Sequence, residues 1–416
     1  VSILSEIAKL KAAPAAGGSL GHFTSANDID PIVEQRSIFA GSGGFSSGLQ
    51  YAASSSYKRI FNHNSGQFSI VSRHYGSAGT EVYCKPFTVN QTTGAITEGS
   101  GAAFFTASSN IDTGTFSQNG NYIMTQHTSG SNGNTTSACT VSGNSVSGTA
   151  NVASSTMQPA TNSDAASFRS GSTMYMYPQV YSTSTGTMHR YTASYNGSSV
   201  SNHSGPGNPS STTSTHYTYP VRGQHGQTNG PTAGAGIRQW QGSNRVQYFD
   251  ILNTSGTESA NQISVQALGV GSQNSPFEGY GIELSNGRQL FYCDQGTIIL
   301  RDGNTLTNVS GSADFIPKTF NNFISDIGTG AAADTWIAIS SNDYKELVRF
   351  SVNPTTYRVT ILESFPLFKY LKGNNSTSSL DHISFTGSSN QFIVMGKPIQ
   401  GIPSAFIQVF RSPFTL

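Results

Sequence analysis

The amino-acid sequence predicts an all-β fold: a seven-bladed β-propeller of four-stranded antiparallel blades, preceded by a short N-terminal helical or extended arm. Three observations carry this expectation. A hairpin-like run recurs at a spacing of roughly 50 residues, the repeat length of kelch-like propeller blades. An uncharged polar composition is studded with aromatic residues, 24 Phe and 18 Tyr in 416 residues. A spare strand near the start of the chain matches a vacancy at its end.

The arm comes first. "SILSEIAKLKAA" sets Ile3, Leu4, Ile7 and Leu10 on one helical stripe, with Glu6 early and Lys9 and Lys11 late, as the helix dipole favours. Pro14 stops this helix and "AAGGS" loosens it from the downstream chain. A helix of about a dozen residues is marginal alone. Its stripe therefore needs a surface, either the body of this protein or a partner subunit. The expected division is an arm at residues 1–34 and a propeller at 35–416, closed by pairing of N- and C-terminal strands.

The repeated units come next. The first reads "YKRIF", "QFSIVSR", "EVYCKPFTVN" and "GAITEGS"; the second "TFSQ", "NYIMTQH", "TTSACTV" and "NSVSGTANV". The third reads "SFRS", "TMYMYPQVY", "TMHRYTASYN" and "SSVSNHS", and others begin near Thr215, Gly281, Phe323 and His382. Alternation of large and small side chains marks half-buried strands. Gly, Asn and Ser at the reversals supply the positive φ that hairpins need. The last unit shows only three strands, whereas "RSIFAG" and "GLQYAASS" precede the first unit without one of their own. If one of them completes the last sheet the ring closes, leaving only short, protected edges. The competing all-β folds are a parallel β-helix, with a repeat nearer 20–30 residues, and stacked sandwiches.

Composition excludes several functions. Charged residues are 10 % and the net charge is +1, so there is no basic field for nucleic acid or an anionic membrane. No apolar run is long enough for a membrane-spanning helix. The opening segment carries Glu6 and Lys9 within its apolar part, unlike a signal-peptide core. Cys84, Cys139 and Cys293 lie in strand-like runs at wide spacing and read as buried free thiols, which suit a reducing cytosol.

No stretch spells out a chemistry. The carboxylates look scattered, without the facing pair a glycosidase needs, so no catalytic residue is assigned. Alternating carboxylates in "NDIDP" lack the further oxygens of a calcium loop. The nine histidines have no metal-pair spacing and read as solvated or hydrogen-bonded loop residues. No metal and no cofactor is expected. What remains is binding: the long polar segment Ser201 to Gly236 presents Tyr217, Tyr219, Arg222 and His225 as a candidate surface-binding loop for neutral polysaccharide or protein. Its alternative is a tolerated insertion.

The Ser/Thr/Gly/Asn-rich strands, and "RSIFAGSGG" followed by "GLQYAASSSY", resemble kelch-like propeller proteins of phage tails and appendages. The resemblance covers Arg36 to Leu416. It implies a non-enzymatic virion component, assembled in the host cytoplasm and anchored to other virion proteins through the arm residues Ile3, Leu4, Ile7 and Leu10. Its loops would face a host-surface glycan or protein. The alternatives are a capsid decoration protein, a secreted carbohydrate-binding lectin, and a polysaccharide-degrading propeller enzyme.

Overall fold

The structure is a computed structural model of the chain. It describes the strands β1 to β32 together with residues 63, 66, 90–95, 99–101, 120–121, 143–144, 171–172, 196–199, 284–288, 303, 309–314, 334 and 353–358. Every regular element among these residues is a β-strand, so the fold is all-β. The arm residues 1–31, with the expected helix, lie outside the described residues.

The strands form antiparallel meanders in chain order. β1 (Ile32–Phe39) stands apart at first. The first meander is β2 (Lys58–Asn62), β3 (Gln67–Gly76), β4 (Gly79–Val89) and β5 (Ile96–Glu98), with β6 (Ala102–Ala107) pairing the other half of β4. The second is β7 (Ile111–Asn119), β8 (Tyr122–Ser129), β9 (Asn134–Ser142) and β10 (Ser145–Ser154). After it come β11 (Met157–Pro159), β12 (Ala166–Ser170), β13 (Thr173–Tyr177), β14 (Gln179–Ser182), β15 (Thr187–Arg190), β16 (Thr192–Tyr195) and β17 (Val200–His203). Of these, β12, β13, β16 and β17 make the third meander, and β11, β14 and β15 a side sheet.

The fourth meander is β18 (His216–Arg222), β19 (Ala235–Trp240), β20 (Arg245–Asp250) and β21 (Ile263–Gln266). The fifth is β22 (Tyr280–Glu283), β23 (Gln289–Cys293), β24 (Thr297–Asp302) and β25 (Thr305–Asn308). The sixth is β26 (Ile324–Asp326), β27 (Thr335–Ile339), β28 (Leu347–Val352) and β29 (Val359–Phe365). The last has β30 (Leu380–Phe385), β31 (Gln391–Gly396) and β32 (Ser404–Arg411), and its fourth strand is β1, antiparallel to β32 with Arg36 opposite Ile407.

First strands of neighbouring meanders lie side by side: β30 beside β2 and β26, β12 beside β7 and β18. β18 and β22 come close enough to pair in parallel. The first strands therefore make an inner rim, and each meander steps outward from it, the arrangement of a β-propeller.

Apolar seams hold the meanders together. Phe61, Val71, Cys84, Ile123 and Cys139 fill the seam between the first two, and Met124, Tyr122, Met174 and Tyr195 the next. Phe68, Phe87, Ile393 and Val409 join the last meander to the first. Strand alternation explains how one strand serves two seams: odd residues of β8 such as Ile123 face the first meander, and even ones such as Met124 face the third. Cys84 and Cys139 are free, fully buried thiols within their seam.

The turns obey local chemistry. Gly120, at φ +60°, gives the tight reversal from β7 to β8. The β4–β5 and β28–β29 turns are copies of each other. Asn90 Oδ1 accepts the N–H groups of Thr92 and Thr93 at 2.9 and 2.8 Å, as Asn353 Oδ1 does those of Thr355 and Thr356 at 2.9 Å each. Gly94 closes the first turn at φ +75°, and Tyr357 takes the equivalent place at φ +59°.

The third unit departs from the sequence expectation. "TMYMYPQVY" serves two sheets, β13 pairing β12 and β16 while β14 pairs β11 and β15, and "TMHRYTASYN" likewise gives β15 to one sheet and β16 to the other. Proline has no N–H to give to a ladder, so the Pro178 position of the sequence suits a change of sheet.

Candidate functional site

Tyr217, Tyr219 and Arg222 lie on strand β18, on the inner rim, rather than in a loop. Thr218 opposes Arg238 and Pro220 opposes Gly236 on β19. His225 lies outside the described residues, as do Ile3, Leu4, Ile7 and Leu10.

The inner strands carry a second feature that the sequence alone did not reveal. Two of them break register with their neighbour, and each does so at an aspartate. On β7, Ile111 opposes Ser129 and Gly114 opposes His127, so Asp112 and Thr113 together face Thr128. On β30, Leu380 opposes Gly396 and His382 opposes Met395, which leaves Asp381 as the extra residue. The first strands of the other meanders pair without a shift over their described lengths. Asp112 and Asp381 are each the second residue of their strand, at the end remote from the first hairpin. β2 lies beside β30, accepts a hydrogen bond from Gln118 of β7 at its Asn62 carbonyl, and opens at that same end with Lys58 and Arg59. Bulges bend a strand and re-aim a side chain, and they collect near active sites.

The second meander also changes character toward this end. Ile123 and Cys139, near the first hairpin, are apolar partners across β8 and β9. Further along, the opposed pairs are Thr125 with Ser137, Gln126 with Thr136 and His127 with Thr135. All six are buried, with Gln126 and Ser137 at 0 % exposure. His127 lies 4.2 Å from Phe105 ring to ring, which corrects its expected place in a solvated loop. The Gln126 amide and the Ser137 hydroxyl have no hydrogen-bond partner among the described residues.

A Ser–His contact sits at the opposite end. His63 Nε2 lies 2.8 Å from Ser69 Oγ and Nδ1 lies 2.9 Å from the Gly120 carbonyl oxygen. The consistent assignment has Nδ1–H donating to Gly120 and the Ser69 hydroxyl donating to Nε2. The Gln118 amide then gives its two protons to the carbonyls of Asn62 at 2.7 Å and Gly120 at 2.8 Å. Its 3.1 Å approach to Nδ1 sets donor against donor and is no bond. Burial brings the His63 pKa down from 6.5 to about 4, partly opposed by the Gly120 bond. Ser69 is fully buried, so no substrate reaches this pair. It joins the first meander to the second and does no chemistry.

Among the described residues no group of three His, Cys, Asp or Glu is placed to hold a metal ion. No family model and no curated protein matches the sequence. Among solved structures the chain is similar to a periplasmic gluconolactonase of Pseudomonas aeruginosa, at 12 % identity over 80 % of this chain and 96 % of that one, with a TM-score of 0.46. It is similar to an α-L-arabinanase of Penicillium chrysogenum at 8 % identity over 92 % of this chain and 99 % of that one, TM-score 0.43. A third is a mutant of Trypanosoma rangeli sialidase, at 9 % identity over 95 % of this chain and 59 % of that one, TM-score 0.43. These neighbours are enzymes and none is a phage protein, which corrects the expectation of a non-enzymatic virion component.

Proposed function

We propose that this chain is a carbohydrate-active enzyme on a closed seven-bladed propeller, cleaving glycosidic bonds of a neutral polysaccharide at the bulged end of the inner rim. The observation that carries the reading is the pair of register breaks at Asp112 and Asp381. Glycoside hydrolysis needs two carboxyl groups, one to protonate the leaving oxygen and one to act as base or nucleophile. Asp112 and Asp381, each at the register break of an inner strand, supply the pair in this reading. The seven blades are the meanders counted with β1 as the outer strand of the last. A net charge of +1 and the wealth of hydroxyl and amide groups suit a neutral, polyhydroxylated substrate.

The test is release of reducing ends from a panel of neutral polysaccharides. Asp112→Asn and Asp381→Asn should each lower kcat/KM by about 10²–10⁴-fold, the usual contribution of a general acid or base, while oligosaccharide binding persists. A wild-type protein that binds glycans but releases no reducing ends is a lectin, and the proposal falls. Full activity in both variants would place the carboxylates elsewhere.

A further inference from the structure

We infer that the outer edge of the sixth meander is a docking strip for the apolar stripe of this chain's own N-terminal segment. The described residues include two large exposed apolar side chains, Ile361 at 56 % and Leu362 at 40 %, and they are neighbours on β29. Adjacent residues of a regular strand point to opposite faces. Here the register breaks: Arg349 opposes Glu363 and Phe350 opposes Ile361, so Leu362 is an extra residue. A bulge of this kind lets two consecutive side chains share a face. β29 is the outer strand of its sheet, so the pair stands on an edge of the kind that proteins normally guard with charge or proline.

The occupant is set by where the chain enters the fold. The sixth and last meanders are neighbours, since β26 lies beside β30. β1 is the outer strand of the last, as β29 is of the sixth. Ile32 opposes Phe410 at the end of β32, where Gln391 on β31 reaches the β4–β5 turn by donating to the carbonyls of Asn90 and Gln91. That is the end at which the equivalent turn, 353–358, leads into β29 two residues before Ile361. The chain preceding Ile32 therefore leaves the last meander on the same rim, and at the same end, as the exposed pair.

The 31 residues before Ile32 hold one amphipathic stripe, Ile3, Leu4, Ile7 and Leu10. The linker from Lys11 to Pro31 reaches up to roughly 70 Å at about 3.3 Å per residue. That reach exceeds the radius of gyration of about 22 Å expected for a compact chain of this length. A short helix is marginal alone, and the bulged pair offers its stripe an apolar surface.

Trypsin reads the docking in the full chain. Lys9 and Lys11 sit in the stripe segment, whereas Arg36 is held in the β1–β32 ladder. Cleavage at Lys9 and Lys11 tracks the undocked population when opening is fast. The double variant Ile361→Ser/Leu362→Ser should speed it about tenfold, with near-ultraviolet circular dichroism unchanged. Ile7→Ser should give a similar rate, and combining the three changes should add little, as for two sides of one contact. Equal rates in wild type and the double variant would overturn the inference. So would protection that grows with protein concentration, which assigns the strip to a second copy. Neither outcome touches Asp112 or Asp381.

Discussion

Acid titration of His63 separates a structural histidine from a functional one. The ring is buried and neutral, with a pKa brought down from 6.5 to about 4 by burial. In the unfolded chain it takes a proton near pH 6.5. The folded value is the depressed one, so stability from the neutral ring is complete above pH 6.5 and is lost as pH falls toward 4. At about 1.36 kcal/mol per pH unit, the full loss is ~3 kcal/mol. The physical cause is specific: a second ring proton would meet the Ser69 hydroxyl 2.8 Å away, which would have to turn its own proton aside. The assay is urea unfolding of wild type and His63→Gln at pH 8, 6 and 4. At pH 8 the variant should be less stable, and the gap should narrow by ~2–3 kcal/mol on reaching pH 4. Parallel pH profiles for the two proteins would refute the assignment of a neutral, buried ring.

Other changes probe the seams and the polar layer. Gly148→Ala should cost about 2–4 kcal/mol in thermal unfolding, because φ is +59° and a Cβ there would lie 2.1 Å from the Gly197 carbonyl oxygen. Tyr357→Phe loses only the 2.8 Å bond from Arg288 Nη1 and should cost about 1 kcal/mol. Tyr357→Gly relieves the positive φ yet removes a buried ring, so denaturant unfolding should show a larger loss, about 2–4 kcal/mol. Gln126→Leu should raise the melting temperature, by an amount equivalent to about 1 kcal/mol. Unchanged stability there would mean that the amide is satisfied in solution.

The hairpins were legible because their signals are local. Asn119-Gly120 between alternating runs specifies a reversal by backbone chemistry alone. "VNQTTG" and "VNPTTY" announce one turn twice, through an Asn side chain that serves its own backbone. The side sheet was not legible. Pro178 is a local signal against one continuous strand, but nothing local says that Val180 will pair with Pro159 and His189. Burial of Thr125, Gln126 and His127 was hidden for another reason: polar residues in a strand read as solvent-facing, and only the neighbouring sheets cover them. Asp112 and Asp381 looked scattered because they are far apart along the chain. Setting "IDTGTFSQ" against "LDHISF" unit by unit would have placed both at the second position of an inner strand.

The clasp between β1 and β32 has a bearing on how the protein is made. During synthesis, Ile32–Phe39 leaves the ribosome long before Ser404–Arg411 exists, and it waits as an unsatisfied strand while more than 360 residues are added. For that interval the nascent chain carries an open edge able to pair with a stray strand of another molecule. Slow translation would thus harm yield through aggregation, with the finished molecule itself showing no defect.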